Sequence, residues 1–264
     1  MKESLSIFLL LIIFGQKLAA QIKDADQVIV KVLSFNIYHG ETMKGNFDLD
    51  VLANLIKEAD PDFVALQEVD FLTNRAKKYD LVTELAWRTK MAGIFGKAMD
   101  YDGGAYGEGL LSKYPFLKSR NVALPTIKGQ EPRAALEVLS ILPSGDTIAF
   151  IGTHFAHEGK EGRLLQAKKI NEVFSQNPYP TILAGDLNAQ PGSLTIHTLE
   201  EIWQATYDKE YPAFTYPSDD PKIKIDYVMF YPKNRWRIIE TKVIADTVAS
   251  DHCAYLVSLE LIGE

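Results

Sequence analysis

The chain has 264 residues, 47% of them hydrophobic and 11% aromatic, enough to bury a sizeable core, and its formal charge is −7. An acidic balance repels polyanions on average, and no block of five or more basic residues offsets it; Lys77-Lys78 and Lys168-Lys169 read as solvated surface pairs. The single cysteine, Cys253, excludes an internal disulfide and leaves the compartment open.

At the N-terminus Lys2 precedes the apolar stretch Leu5 to Gly15, and Ala19-Ala20 stand before Gln21. At roughly eleven residues the stretch is short for a membrane span, and the pattern reads as a secretory signal peptide over residues 1–20, cleaved near Ala20. The mature chain is then exported, to the periplasm or beyond, with a formal charge of −8 once Lys2, Lys17 and Glu3 are gone. No linker, repeat or low-complexity tract divides residues 21–264, so they form one domain.

The β-branched run Val28 to Ile37 carries one carboxamide, Asn36, which needs partners if buried. Asp48 to Ala59 has apolar residues at 52, 55, 56 and 59, a helix with Asp48 as cap, stopped by Asp60-Pro61. The next run, Asp62 to Val69, reads as a strand ending on Glu68, a carboxylate suited to a hard divalent cation. Arg75 follows on a loop from which it can reach a substrate. Leu81 to Met91 is an amphipathic helix. The glycine-rich piece Tyr101 to Ser112 lacks the lysine and hydroxyl of a phosphate-binding P-loop and reads as a loop at a site mouth.

Arg133 enters an apolar strand as a phosphate-contact candidate; the alternative is a surface ion pair with a neighbouring acid. Ala134 to Leu142 and Thr147 to His154 alternate as strands around the turn Pro143 to Asp146, the second ending on His154. After a helix over Gly162 to Ser175, the apolar run from Thr181 stops at Asp186-Leu187-Asn188, which as a strand puts both polar side chains on one face. Lys224 to Tyr231, Trp236 to Ala245 and Ala254 to Leu261 complete a strand-rich C-terminal part carrying Asp226, Asp251 and His252. Trp87, Trp203 and Trp236 are scattered and read as core. Strands separated by helices indicate α/β layers.

Each of these polar residues alone fits a turn or a satisfied core group. Delivered together at the ends of apolar strands, they fit a pocket that positions a water beside a metal-bound phosphate. Oxygen donors such as Asn36, Glu68, Asp186 and Asn188 suit Mg²⁺ or Mn²⁺. His154, His157 and Glu158 find no second ligand cluster, which disfavours a zinc peptidase.

Asn36, Gln67-Glu68, Thr153-His154, Gly185-Asp186-Leu187-Asn188, Ile225-Asp226-Tyr227 and Ser250-Asp251-His252 occur in the order of the endonuclease/exonuclease/phosphatase superfamily, which the chain resembles over roughly residues 28 to 262. That superfamily includes deoxyribonuclease I, abasic-site endonucleases, neutral sphingomyelinases and inositol polyphosphate 5-phosphatases. The resemblance implies a deoxyribonuclease I-like four-layer α/β sandwich, two packed mixed sheets flanked by helices with the site at one end. It implies Glu68 as principal metal ligand, with Asn36 and Asp251 helping to hold metal or phosphate. Asp186 would orient or deprotonate the attacking water and Asn188 would position it. His252 would act on phosphate or water, oriented by Asp226, and His154 would donate to a nonbridging oxygen or assist the leaving group. Direct in-line attack by water follows, without a covalent enzyme intermediate. The expected substrate is a small or lipid-linked phosphoester, with a secreted nuclease as the alternative and a non-catalytic binding module as a third reading; no stable protein partner is implied.

Overall fold

The computed structural model describes residues 27–263, so the signal peptide expected over residues 1–20 lies outside the described residues. One sheet contains β1 (Val28–Asn36), β2 (Phe63–Phe71), β3 (Ala92–Tyr101), β4 (Gly104–Ser112), β11 (Trp236–Ile244) and β12 (Ala254–Leu261), in the order β11-β12-β1-β2-β4-β3. The other contains β5 (Phe116–Ala123), β6 (Ala134–Ile141), β7 (Thr147–His154), β8 (Thr181–Asp186), β9 (Gln204–Ala205) and β10 (Asp226–Tyr231), in the order β5-β6-β7-β8-β10-β9. The helices are α1 (Leu49–Ala59), α2 (Leu81–Thr89), α3 (Lys160–Phe174) and α4 (Leu194–Glu200). Among the described residues none is long and apolar enough to cross a membrane.

Each sheet is built around one parallel pair, β1 with β2 and β7 with β8, and the remaining pairs are antiparallel. A parallel pair needs a crossover, which α1 and α3 supply. α1 forms where expected: the Asp48 carboxylate accepts from the Asp50 amide, Leu52, Leu55 and Ile56 are buried, and Asp60 closes the helix in the left-handed region at φ 48°.

Val32, Phe63 and Leu110 meet Phe150, Ile182 and Val228 between the sheets. Leu52, Ile56 and Leu85 cover Leu33, Phe35 and Leu66 on one outer face, and Ile170, Phe174 and Leu199 cover Ile151, Leu183 and Met229 on the other. The order is therefore helix, sheet, sheet, helix, the expected four layers. Both parallel pairs end at one edge of the sandwich, and β10, antiparallel to β8, begins there. Asn36, His154, Asp186 and Asp226 are carried to that edge by the strand directions alone, where ligands collect in α/β sheets.

Two expectations fail here. The glycine-rich piece is not a loop: β4 lies between β2 and β3, and only Asp102-Gly103 makes the turn. Gly104 and Gly107 serve close backbone approach: a Cβ on Gly107 would collide with the Gly96 carbonyl oxygen where the β3–β4 register shifts. Gly107→Ala should cost about 1–3 kcal/mol, measured by urea unfolding. Trp203 and Trp236 are buried as expected, but Trp87 is 76% exposed. α2 buries Leu81, Val82 and Leu85, and Trp87 falls off that stripe.

Candidate active site

β2 does not end on Glu68. It continues to Phe71, and the β2–β4 register breaks between Leu66 and Val69. Within that bulge Glu68 adopts φ 58°, a left-handed conformation that re-aims a side chain at some cost in strain. Asn188 lies beyond the end of β8, also left-handed at φ 47°, so turn geometry rather than strand alternation brings it beside Asp186. Its backbone amide donates to Asp186 Oδ1 at 2.9 Å.

The Asn36 amide nitrogen lies 3.1 Å from Glu68 Oε1, 3.3 Å from Asp186 Oδ2 and 3.5 Å from His252 Nε2. One buried carboxamide thus gathers residues from β1, β2, β8 and the loop before β12. That loop is tied down by the Ser250 hydroxyl, which donates to the Asn36 carbonyl at 2.7 Å. His252 Nδ1 lies 3.0 and 3.2 Å from the two oxygens of Asp226, which is fully buried. Burial opposes a charge on this imidazole, but Asp226, Asp186 and Asp251 outweigh it and lift its pKa to about 10, so His252 is a cation at neutral pH. Asp186 moves the other way from an ordinary carboxyl. Burial raises it above the usual range and Asp226 adds to this, while the His252 charge opposes it, the behaviour of a group poised as a base.

His154 is neutral, its pKa driven well below the ordinary value by burial and then by Arg133. Arg133 Nη1 lies 3.2 Å from His154 Nδ1, and a guanidinium can only donate, so Nδ1 accepts and Nε2 carries the proton. That Nε2 lies 3.4 Å from Asp186 Oδ2, which can accept its proton, and 3.0 Å from Asn188 Nδ2, a donor that is itself directed to the Phe155 carbonyl at 3.0 Å. Arg133 makes the ion pair with a neighbouring acid that the sequence offered as one reading, but in the cleft wall rather than on the open surface. It is 2% exposed, pairs with Glu131 at 3.0 Å and contacts the Tyr106 hydroxyl at 3.4 Å. It lines the cleft with Nη1 and Nη2 engaged by His154, Tyr106 and Glu131, while its buried Nε has no hydrogen-bond partner among the described residues.

Arg75 is held in place on two sides. Asp70, fully buried, takes its Nε and Nη2 at 2.7 and 2.8 Å, and the guanidinium carbon lies 4.6 Å from the centroid of the Tyr101 ring. Asp251 and the other expected residues, except the deeper Asn36 and Asp226, line the same cleft, of about 960 Å³, with Arg75, Arg133, Lys160 and Arg163 on several sides. The structure therefore brings all ten expected residues to one edge, with Asn36 and Asp226 forming its floor.

Sequence reasoning missed His39, whose Nδ1 lies 3.7 Å from Glu68 Oε2; its place in the turn directly after Asn36 was the available signal. It also missed Glu108, fully buried with neither carboxyl oxygen hydrogen-bonded. Burial raises this carboxyl well above its ordinary value of 4.5, so it is held as the neutral acid. The unfolded chain releases that proton more readily, so stability is lost as pH rises above 4.5. Glu108→Gln should flatten that loss, checked by denaturant midpoints between pH 5 and pH 8.

Among the described residues, the His and carboxylate ligand atoms that close to within 4.8 Å belong to Asp186, Asp226 and His252. His252, cationic and hydrogen-bonded through Nδ1, is a poor ligand there. Glu68 suits a cation better: burial would raise its carboxyl, but the His39 contact and others hold it down at about 2, ionised and open to the cleft. Asp251, raised by burial with the Glu68 charge adding to it, faces the same cleft. Carboxyl groups converging against a single imidazolium form a hard-oxygen donor set that a divalent cation fits.

The sequence matches the Endonuclease/Exonuclease/phosphatase family model over residues 33–252. The chain belongs to this family. Among solved structures, an endonuclease/exonuclease/phosphatase family protein from Bacteroides thetaiotaomicron superposes with a TM-score of 0.74 at 16% identity, covering 90% of this chain and 100% of that one. A mannosyl-6-phosphatase from the same organism gives 0.70 at 17% identity, with 87% and 99% covered. The human Nocturnin catalytic domain with bound sulfate gives 0.69 at 16%, with 89% and 98% covered. A search of curated proteins returned no significant match. These likenesses carry the fold, and the family's named activities, nucleic-acid cleavage and phosphate removal, are both phosphoester hydrolysis.

Proposed function

We propose that this endonuclease/exonuclease/phosphatase family member is an exported, divalent-metal-dependent hydrolase of a small or lipid-linked phosphoester, acting by direct attack of water. The observation that carries the reading is the convergence of the Asn36 carboxamide on Glu68 and Asp186 beside the His252–Asp226 pair. Glu68, with Asn36 and Asp251, would hold Mg²⁺ or Mn²⁺. When bound, the cation would neutralise phosphate charge and polarise the phosphoryl group.

The chain's own side chains do the rest. Asp186 accepts a proton from the water, and Asn188 fixes that water's position. The neutral His154 donates its Nε2 proton to a nonbridging oxygen, in a tautomer set by Arg133. His252, kept cationic by Asp226, stabilises the negative charge that builds on the phosphoryl oxygens. Arg75 meets the remainder of the substrate at the cleft wall.

A small substrate is favoured because the cations form no continuous stripe. Lys160 and Arg163 share the cleft wall with Glu161, Arg133 with Glu131, and the mature chain carries a formal −8. Export rests on the N-terminal pattern of residues 1–20. Phosphate or alcohol release should be measured for the chain from Gln21 onward with Mg²⁺, on sugar and inositol phosphates, sphingomyelin, phosphoinositides, and single- and double-stranded DNA and RNA. Turnover of small or lipid phosphoesters supports the reading. Preferential cleavage of nucleic acid would replace it with a secreted nuclease.

A further inference from the structure

Lys224 is buried to 1% exposure, and nothing in the reaction above uses it. Its Nζ lies 3.7 Å from the centroid of the Tyr255 ring, 5.0 Å from that of Tyr227 and 5.7 Å from that of Tyr207, and it donates to the carbonyl oxygen of Asp226 at 2.9 Å. Placing an amine there incurs a desolvation cost that a methionine of similar length would avoid. Burial pushes its pKa down to about 7 against the opposing charge of Asp226; either protonation state can donate the hydrogen bond.

The β10 register explains why an amine is needed. The Leu187 amide donates to the Ile225 carbonyl at 2.8 Å, so these two form a hydrogen-bonded pair and, by antiparallel alternation, the Asp226 carbonyl turns to the other edge of β10. β9 on that edge is only Gln204–Ala205 and pairs with Phe230 and Met229. The Val228 carbonyl still finds the Thr206 amide at 3.3 Å, but β9 has ended before the level of Asp226. A buried carbonyl there needs a donor from outside the ladder, and the Lys224 side chain folds back to supply it.

The residue so held carries the carboxylate that grips His252. We propose that Lys224, caged by Tyr207, Tyr227 and Tyr255, is a positioning residue that holds the Asp226 carbonyl at the edge of β10 that β9 does not reach, beside Thr215 Oγ1, which accepts from the Asp226 amide at 3.3 Å, and thereby sets how Asp226 holds His252. Its kinetic consequence rests on the hydrolase reading above; its structural consequence does not.

The test compares wild type, Lys224→Met and Lys224→Arg by steady-state hydrolysis of p-nitrophenyl phosphate with Mg²⁺, and by NMR of the His252 Nδ1 proton in histidine-labelled protein. Lys224→Met should lower kcat by about 10- to 100-fold, as loss of a supporting partner does, with KM nearly constant. It should also shift the Nδ1 proton upfield, and Lys224→Arg should recover part of both. Lys224→Gln, too short to reach the carbonyl, repeats the test if the methionine variant does not fold. Unchanged kcat and an unchanged resonance, with only the melting temperature moved, would overturn the proposal. If wild type hydrolyses no phosphoester, the hydrolase reading fails and the resonance alone decides the role of Lys224.

Discussion

Asp186→Asn should reduce kcat by about 10²- to 10⁴-fold, the range for loss of a positioned base, while leaving the fold intact. Asparagine matches aspartate in shape, and its side-chain oxygen can still accept from the Asn188 amide as Asp186 Oδ1 does at 2.9 Å. What it loses is the capacity to take a proton. Burial holds the Asp186 carboxyl above the usual range, so the wild-type group is a better base than an exposed carboxylate, and the change removes more than a surface charge. Initial rates at saturating Mg²⁺, with circular dichroism as the folding control, measure the effect. A variant within a few-fold of wild type would remove Asp186 from the chemistry.

Glu68→Gln should raise the Mg²⁺ concentration for half-maximal activity by at least about 10- to 100-fold, the loss that follows even when only a group supporting a metal ligand is removed. Glutamine occupies the same bulge but offers no charge to a hard cation. Magnesium titration calorimetry on both proteins separates lost metal affinity from lost chemistry. Equal Mg²⁺ affinity would take the metal away from Glu68 and return attention to Asp186, Asp226 and His252, whose ligand atoms are the ones that crowd within 4.8 Å.

The layered fold and the clustering of candidates at strand ends were legible because strand ends are local features. Asn36 and His154 are the last residues of β1 and β7, and apolar runs stopping at polar side chains announce them. What local pattern could not show was backbone geometry set by neighbours. Glu68 reaches the cleft through a bulge against β4, a tertiary event. Gly107 looks like a loop residue until the Gly96 carbonyl is placed against it. Arg133 could be read as a surface ion pair until it is found buried against Tyr106 and His154. Lys224 reads as the start of a strand, and its purpose appears only once β9 proves too short to reach Asp226.

A water held by Asp186 and Asn188 that attacks phosphorus directly must invert the configuration there. Hydrolysis of a substrate made chiral at phosphorus with oxygen and sulfur isotopologues, followed by ³¹P NMR of the product, reads that outcome. Inversion is the predicted result. Retention would require two displacements and a phosphorylated side chain, and would contradict the water-activating role assigned to Asp186.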